Sequence, residues 1–375
     1  MPDCAPHLEF GSSDYLARVL TRACADRSPV YGTFDLTHRC NLRCVHCYVG
    51  HRVGESRLEA AELGTQEAID LLVAAADAGC LLMLLSGGEP LLREDFVEIY
   101  QAAKKLGLIL TVFTNASLVT ERHVEVFKEF PPHLVEVTVY GATEETYELV
   151  TGVPGVFEHS KRGVELLREH GIPVNLKTMI LRDNLHEALA IEAWARDLGV
   201  HFRMDPLVTP RLDGDLRPLE QRVDPETAVA IELTAKERRA QVKDFLEQQS
   251  RSEAAIPMPP THLYRCGAGQ GSFYLDPVGQ MQPCLMSQGI KYNARTLGFG
   301  PAWKAVTVAV DEASWEGRGG CADCADILLC GYCPGLFELE KTTPARPPEY
   351  VCELGRNRYK IIGSDQPEVV DATRT

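Results

Sequence analysis

Residues 36–49 read LTHRCNLRCVHCYV and place Cys40, Cys44 and Cys47 within eight residues of one another. A 4Fe–4S cluster is usually held by four cysteine thiolates, so three thiolates in one short segment would leave one iron free to bind a substrate or a cofactor. The segment is rich in Arg, Asn and His, which is typical of a loop. It therefore predicts an iron–sulfur site with an open coordination position.

The triplet has three other interpretations. Structural zinc normally takes four ligands, commonly in two separated pairs, and no second cysteine pair stands near this loop. A disulfide needs an oxidising compartment, of which the sequence gives no sign. Cysteines that only fill a core would follow the period of a strand or a helix. We therefore favour the cluster.

Composition limits the class of protein. The chain has 375 residues, of which 45% are hydrophobic, and a formal net charge of −15. This length predicts two domains, and the negative charge argues against nucleic acid as a partner. No apolar run approaches the roughly 20 residues of a membrane span, and residues 1–30 lack the apolar core of a signal peptide. Thirteen cysteines without an export signal indicate the cytoplasm.

Apolar strand-like runs alternate with helical stretches from Tyr31 onward. The runs are YGTFDLT, CLLMLLS, LILTVFT, LVEVTVY, VNLKTMIL and HFRMDPLV, an alternation that predicts an α/β fold with a parallel sheet and helices outside it. Six such units make a partial (β/α)6 TIM-like barrel, whose chemistry lies at the carboxyl ends of the strands. The cysteine triplet follows the first run. We also predict a helix over residues 65–78, with Thr65 as its N-cap and Gly79 after its end.

The chain divides into five predicted segments. They are a helical extension over residues 1–30 with one amphipathic helix at about 15–25, the barrel over 31–210, a charged connector over 211–260 with a helix near 225–249, a second domain over 261–360, and a disordered tail over 361–375. Cys4 and Cys24 have no partners at ligand spacing, and we interpret both as structural or incidental. Cys80 has the apolar neighbours of a core residue.

Ser86, Gly87, Gly88, Glu89 and Pro90 follow the second strand run. The two glycines let the backbone approach a ligand closely, and the carboxylate can accept from an ammonium group. A plain strand-to-helix turn would use the same residues as punctuation. The cysteine triplet lies some forty residues earlier and has the spacing Cys-x3-Cys-x-aromatic-Cys. Together the two motifs resemble those of the radical S-adenosylmethionine (SAM) enzymes.

This resemblance implies a set of cofactor contacts. The triplet would hold a 4Fe–4S cluster whose open iron chelates SAM, and His46 stands in the aromatic place of the motif. The GGEP residues Gly87, Gly88, Glu89 and Pro90 would hold the methionyl amine.

Side chains at later strand ends are further candidates under the resemblance. Asn115 closes the third strand run. Thr138 stands where family members often carry the serine of Ser-x-Asp-Gly and could hydrogen-bond the ribose or carboxylate of SAM, whereas Tyr140 replaces the acid of that motif. Lys177 either faces the SAM carboxylate or points outward. Asp205 can cap a loop as easily as touch a substrate.

Seven cysteines reappear after residue 260 in a Gly- and Pro-rich context. Cys266 and Cys284 bracket a predicted β-hairpin that turns at residues 276–279, DPVG. The later spacing Cys-x2-Cys-x5-Cys-x2-Cys, followed by a last cysteine, resembles the SPASM domain of peptide- and protein-modifying radical SAM enzymes, with x2 where that family has x3. A zinc ribbon is the alternative, but the x5 gap is shorter than the usual ribbon spacing.

The SPASM resemblance implies two auxiliary iron–sulfur clusters. The outer one would be held by Cys321, Cys324, Cys330 and Cys352, and the inner one by Cys266, Cys284 and Cys333. The inner set is one ligand short. Either a residue other than cysteine completes it or one iron is open to substrate.

The two resemblances cover about residues 31–355 and imply an oxidoreductase that cleaves SAM reductively to a 5′-deoxyadenosyl radical and abstracts a hydrogen atom. Sulfatase maturases usually carry an Asp where this chain has Leu285. We therefore expect a maturase of ribosomally synthesised precursor peptides (a RiPP enzyme) that cross-links, desaturates or decarboxylates its substrate.

Partners follow from the same interpretation. Residues 1–30 are too short for a fused leader-binding domain, so we expect a separate leader-binding protein and a flavodoxin or ferredoxin type reductant, with no nucleic acid and no membrane. The alternatives are a radical SAM dehydrogenase of a small molecule or a protein side chain, and a non-catalytic iron–sulfur electron carrier. The carrier would need no SAM pocket.

Overall fold

The computed structural model describes residues 13–50, 60–251, 262–314, 320–322 and 324–363. Cys4 and most of the predicted tail lie outside these residues. No helix in the described part of the chain is both long and apolar enough to cross a membrane.

One nine-stranded sheet forms the centre of the described structure, in the order β6-β5-β4-β3-β2-β1-β7-β8-β9. Strands β1 to β7 pair in parallel, and β7, β8 and β9 pair antiparallel. The sheet is not closed, which confirms the predicted α/β partial barrel. The strands are β1 Tyr31–Thr37, β2 Leu82–Gly87, β3 Ile109–Thr114, β4 Leu134–Thr138, β5 Val174–Met179, β6 Phe202–Asp205, β7 Ser272–Leu275, β8 Gln280–Gln282 and β9 Tyr292–Asn293.

Helices connect the parallel strands and continue into the C-terminal part. They are α1 Ser13–Asp26, α2 Thr65–Asp77, α3 Phe96–Lys105, α4 Glu121–Glu129, α5 Glu144–Thr151, α6 Val156–Glu169, α7 Ala188–Asp197, α8 Pro225–Glu232, α9 Lys236–Arg251, α10 Ala294–Leu297, α11 Phe299–Glu312, α12 Ile327–Cys330, α13 Pro334–Leu339 and α14 Glu349–Gly363. Short 3-10 turns occupy Pro90–Leu92, Leu185–Glu187, Arg217–Gln221 and Gly320–Ala322.

The core lies between the sheet and its helices. Leu85, Leu110, Val137 and Leu176 come from four neighbouring strands and are fully buried. Parallel strands covered on both faces need such apolar runs, and each buried side chain contributes about 2 kcal/mol relative to an exposed one. This packing fixes the strand ends, where the candidate site lies.

The start of α2 differs from the prediction. Gly64, not Thr65, is the N-cap, and its N–H donates to the Glu67 carboxylate at 2.9 Å. Thr65 is already helical, and its hydroxyl donates to Asp95 at 2.7 Å. The prediction of Thr65 as the cap was therefore wrong, because the Thr65 side chain hydrogen-bonds to Asp95, the residue that precedes α3. Gly79 follows the helix with a φ of +98°, as predicted.

The described part of the connector contains two α-helices where one was predicted. Asp224 caps α8, since its carboxylate accepts from Thr227 N at 2.9 Å. Helix α8 ends at Glu232, and Arg238 from α9 donates to the Glu232 carbonyl at 2.9 Å. A side chain thus satisfies a carbonyl that a continuous helix would have bonded internally. At the C-terminus α14 runs to Gly363, so the first three residues of the predicted disordered tail are helical.

The predicted hairpin is present and belongs to the main sheet. Strand β7 pairs in parallel with β1, with Tyr31 opposite Ser272 and Phe34 opposite Leu275. The Asp276 carboxylate accepts from Val278 N and Gln280 N and closes the turn. The cysteine-rich region is thereby attached to the first strand of the barrel. The domain boundaries stay a prediction.

Candidate active site

A cavity of about 230 Å³ lies at the carboxyl ends of the parallel strands. Its wall runs from the loop after β1 to the end of β6, and Tyr140 and Asp205 belong to it. Glu89 and Pro90 are not among its lining residues. The other barrel residues singled out from the sequence all line it, namely Cys40, Cys44, His46, Cys47, Gly87, Gly88, Asn115, Thr138 and Lys177.

Backbone hydrogen bonds hold the cysteine loop against helix α5. Arg43 N donates to Thr151 O at 2.8 Å, and Val45 N donates to Val150 O at 3.0 Å. The end of an α-helix leaves carbonyls without intrahelical partners, and the loop supplies donors for two of them. The loop is therefore positioned by the barrel itself.

The thiols in this loop lie in an environment suited to metal ligation. Leu42 N donates to Cys40 Sγ at 3.4 Å, and Gly50 N donates to Cys47 Sγ at 3.3 Å. Burial raises the pKa of Cys40 to about 12 and raises the pKa of Cys44 well above 9. Buried thiols ionise only beside a cationic centre, so a metal centre would supply the positive charge that ionised thiols in this loop need.

In the described residues, no group of three or more His, Cys, Asp and Glu side chains could hold a single metal ion. A 4Fe–4S cluster distributes its thiolates over several irons, so its cysteines need not converge on one ion.

His46 lines the cavity, and one of its ring nitrogens is buried. Its ring packs edge-on against Tyr140, with centroids 4.8 Å apart, and Nδ1 is buried with no hydrogen-bond partner among the described residues. Burial lowers the pKa of His46 to about 4, so the imidazole is neutral near pH 7. An unpaired buried polar atom costs about 1–3 kcal/mol. A bound ligand with a complementary polar group would remove that cost, which fits SAM.

Tyr140 has a role that the sequence did not reveal. It occupies the place of the acid in Ser-x-Asp-Gly, and in the structure its ring packs edge-on against His46, with centroids 4.8 Å apart. Its hydroxyl lowers the pKa of the Cys44 thiol and so opposes the larger effect of burial. The residue that departs from the family motif therefore packs on the cysteine loop.

Gly87 and Gly88 form a close contact between β2 and the cysteine loop. A methyl group at Gly87, which has a φ of +137°, would overlap the Thr37 carbonyl oxygen. One at Gly88 would overlap the Arg39 carbonyl oxygen and lie 2.7 Å from that of His38. The glycine pair thus lets the turn after β2 dock on the segment that leads into the triplet.

Glu89 lies behind the wall of the cavity and is fully buried. Its carboxylate accepts from Leu91 N at 3.0 Å, Thr114 Oγ1 at 2.8 Å and Asn115 N at 2.7 Å. These three bonds tie β2 to the end of β3. The structure therefore gives Glu89 a bracing role, and its contact with the methionyl amine stays a proposal.

Replacing Glu89 by Gln tests this role through pH. Burial raises the pKa of Glu89 from 4.5 to about 7. Its contribution to stability is therefore fully present below about pH 4.5 and lost as the pH rises through about 7, a change of about 3 kcal/mol. Urea unfolding of the metal-free proteins from pH 5 to 8 should show the parent losing stability relative to Glu89→Gln over this range. A difference that does not vary with pH would contradict the prediction.

Lys177 lines the cavity but already has protein partners. Its Nζ lies 3.0 Å from the Glu136 carboxylate and 3.1 Å from the centre of the Phe113 ring. Arg203 binds the same carboxylate through Nε at 2.7 Å. Burial lowers the pKa of Lys177 to about 8, although Glu136 opposes this shift. Two cations thus share one carboxylate at this wall of the cavity.

The end of β6 closes the far side of the site. Asp205 accepts from Leu207 N at 2.8 Å, so its carboxylate caps the loop that follows the strand. Thr138 lies at the end of β4 and lines the cavity.

A polar network beside the triplet was not foreseen from the sequence. The Tyr274 hydroxyl donates to the buried Asp35 carboxylate at 2.7 Å, and His38 Nε2 lies 3.2 Å from that hydroxyl. His38 lines the cavity. The sequence could not indicate this network because Tyr274 lies 239 positions after Asp35. The pairing of β7 with β1 brings the two residues together.

The four cysteines assigned to the outer auxiliary cluster lie around one small cavity. It has a volume of about 80 Å³, and Cys321, Cys324, Cys330 and Cys352 all line it. Gly355 on α14 permits this approach, because a methyl group there would lie 2.7 Å from Cys330 Cβ. Cysteines from three separate segments thus face one space.

The three cysteines assigned to the inner cluster are also neighbours. The charges of Cys333 and Cys266 add to burial in raising the pKa of Cys284 to about 12. Burial raises the pKa of Tyr332 to about 12, and Cys321 of the outer set and Cys266 and Cys333 of the inner set add to this rise, so Tyr332 is close to both sets. The two cysteine sets are therefore adjacent.

Comparison with known proteins identifies the class. Residues 34–195 match the Radical SAM superfamily. The AdoMet-dependent heme synthase of Methanosarcina barkeri is 29% identical over 315 residues, which cover 80% of this chain and 89% of that protein. The PqqA peptide cyclase of Rhizobium meliloti is 27% identical over 263 residues, 68% of this chain and 67% of that protein. The crystal structure of Streptococcus suis SuiB bound to precursor peptide SuiA matches with a TM-score of 0.63 at 16% identity, over 93% and 83% of the two chains.

The matched residues 34–195 contain the cysteine triplet and the GGEP turn. The chain contains a radical SAM domain and has relatives among peptide-modifying enzymes of the radical SAM/SPASM type. Members of this superfamily are enzymes, and such a domain implies a 4Fe–4S cluster and SAM binding.

Proposed function

We propose that the protein is a radical SAM/SPASM oxidoreductase that oxidises a ribosomally made precursor peptide with the help of two auxiliary clusters. Cys40, Cys44 and Cys47 would hold the first cluster. His46, Gly87, Gly88, Asn115, Thr138 and Lys177 would bind SAM, and Glu89 and Pro90 would support the site from behind the wall. When bound, the cluster and SAM together supply hydrogen-atom abstraction.

One observation carries the proposal. Leu207 lines the cavity. It also packs against a buried apolar group that contains Cys330, and Cys333 packs against the same group. Tyr350 reinforces this contact, because its hydroxyl donates to Pro206 O at 3.0 Å. A substrate in the cavity would therefore sit between the triplet and the auxiliary cysteines. This is the arrangement needed to remove an electron from a substrate after its hydrogen atom.

The remaining polar residues of the wall suit substrate handling. Oxidation of a carbon centre also releases a proton, and His38, backed by Tyr274 and Asp35, is the titratable group of the wall placed to accept it. Lys177 and Arg203 would orient carboxylate groups of SAM or of the substrate. The sheet ends at β6 without closing, so an extended peptide can enter on that side.

Metal analysis tests the auxiliary assignment. Anaerobically reconstituted protein should hold three clusters, on the order of 8 to 12 iron atoms per chain. The colour should be brown and should bleach in air. Zinc in place of iron in the C-terminal region would contradict the assignment.

A second candidate rests on the similarity to the heme synthase, which extends over 89% of that protein. That candidate function is a SAM-dependent step of heme formation. The two functions separate in one assay of SAM cleavage. A short peptide encoded beside this gene should stimulate 5′-deoxyadenosine formation and change in mass, whereas an iron porphyrin should do neither. Stimulation by the porphyrin alone would replace the peptide proposal.

Two partners belong to the peptide proposal. A separate leader-binding protein would present the precursor, and a flavodoxin or ferredoxin type reductant would deliver electrons. A pull-down with the tagged precursor peptide, with and without the leader-binding protein, would test the first.

A further inference from the structure

The inner auxiliary set contains three cysteines, Cys266, Cys284 and Cys333, and a 4Fe–4S cluster usually takes four. The fourth position must be filled by another side chain, by water or by substrate. No spacing in the sequence connects Cys24 with this set, but the fold places Cys24 next to the turn that follows Cys266.

Cys24 lies in the last turn of α1 and faces the turn that follows Cys266. A methyl group at Gly267 would be 3.2 Å from Cys24 Sγ, and one at Gly271 would be 2.8 Å from it. The thiol therefore packs tightly against this turn, and a side chain at Gly271 would displace it. Cys266 precedes Gly267 in the chain and is close enough for its charge to act on Cys24.

The position of Cys24 is fixed by contacts on both sides. Tyr31 N donates to Gly271 O at 3.1 Å, which joins the start of β1 to the same turn. Trp303 Nε1 donates to the Arg27 carbonyl at 2.8 Å, and Arg27 pairs with Asp311 at 2.6 Å. The end of α1 is therefore held against α11 and the 267–271 turn, and Cys24 is held with it.

We propose that Cys24 is the fourth protein ligand of the inner auxiliary cluster, beside Cys266, Cys284 and Cys333. This assignment rests on the proposed function, because it requires that the inner set holds an iron–sulfur cluster. The thiol would lose its proton as the iron–sulfur bond forms. All four irons would then have protein ligands, and the cluster would carry electrons without binding substrate.

The assignment also gives α1 a structural role. Residues before the barrel would contribute a ligand to a cluster whose other ligands lie after residue 260. Insertion of that cluster would then join the two ends of the chain across β1 and β7.

A spectroscopic experiment tests the ligand. The full chain with Cys40, Cys44 and Cys47 replaced by Ala is reconstituted anaerobically and reduced, so that only auxiliary clusters give electron paramagnetic resonance signals. β-Mercaptoethanol should leave both signals unchanged. With Cys24→Ala added, one signal should shift on thiol addition, or about four iron atoms should be lost, while the other signal stays. Cys80→Ala, which removes a buried cysteine outside the triplet and outside both auxiliary sets, is the matched control and should behave like the parent.

Several outcomes would overturn the assignment. A signal that already shifts with thiol in the parent background would show an open iron, and a Cys24→Ala spectrum identical to that of Cys80→Ala would show that Cys24 binds nothing. Absence of any auxiliary iron in the parent would instead refute the proposed function itself.

A second measurement needs no substitution at Cys24. In the unmutated protein, alkylation of Cys24 should become at least about tenfold faster when iron is chelated, because a ligating thiolate is shielded by its metal. Cys266 should respond in the same way, and Cys80 should not. Equal alkylation of Cys24 with and without iron would reject ligation even if the Cys24→Ala protein failed to fold.

Discussion

Replacing Cys40, Cys44 and Cys47 together by Ala should abolish reductive cleavage of SAM and leave the iron of the C-terminal cysteine sets in place. The triplet lines the cavity, whereas the outer auxiliary cysteines surround a separate cavity, so the sites should load independently. Iron content should fall by about four atoms per chain. The measurements are iron analysis and chromatography of 5′-deoxyadenosine under anaerobic reducing conditions.

Cys80→Ala controls for the loss of a buried thiol. Cys80 is buried at the start of the second strand region, and its thiol donates to Leu82 O at 3.4 Å. This variant should keep its iron and its SAM cleavage. Continued formation of 5′-deoxyadenosine by the triple variant would refute the assignment of the triplet.

Gly88→Ala should destabilise the protein by about 3 kcal/mol, because the added methyl group would overlap backbone that belongs to the cysteine loop. The overlapped atoms are the carbonyl oxygens of Arg39 and His38, which precede Cys40 directly. Relief of the overlap must move the loop, so we also expect loss of the first cluster. Urea unfolding gives the stability, and iron analysis gives the cluster content.

Gly300→Ala is the matched control for this substitution. Gly300 lies in α11, and a methyl group there would meet no atom within 4 Å. Its stability should change by less than about 1 kcal/mol, with iron unaffected. If Gly88→Ala behaved like Gly300→Ala, the close contact between β2 and the cysteine loop would be refuted.

Much of the fold could be predicted because its signals are local. The six barrel strands follow strand-like runs between helical stretches. The central residues of β2 and β4 are buried throughout, whereas β3 and β5 alternate buried and half-buried residues. The DPVG turn was equally visible, since Asp276 binds backbone groups only two and four residues away. The N-cap of α2 was missed because the Thr65 hydroxyl bonds to Asp95, thirty residues away.

The candidate site divides in the same way. Short spacings in the sequence indicated the triplet, the GGEP turn and the CxxC pairs, because the residues of each motif lie close together along the chain. The sequence alone did not indicate that the Glu89 carboxylate braces β3, that Tyr140 packs on His46, or that Tyr274 completes a network with Asp35 and His38. Each of these contacts joins residues from different strands or loops, at least 25 positions apart.

The amino-acid sequence by itself determined the class of fold, the cysteine loop and the order of the auxiliary cysteines, because periodicity and spacing are properties of neighbouring residues. Only the tertiary structure decided that β7 pairs with β1, that Leu207 lies between the cavity and Cys330, and that Cys24 meets the turn after Cys266. The physical reason is that parallel pairing and helix docking bring together residues separated by hundreds of positions, and no local pattern encodes which of them meet.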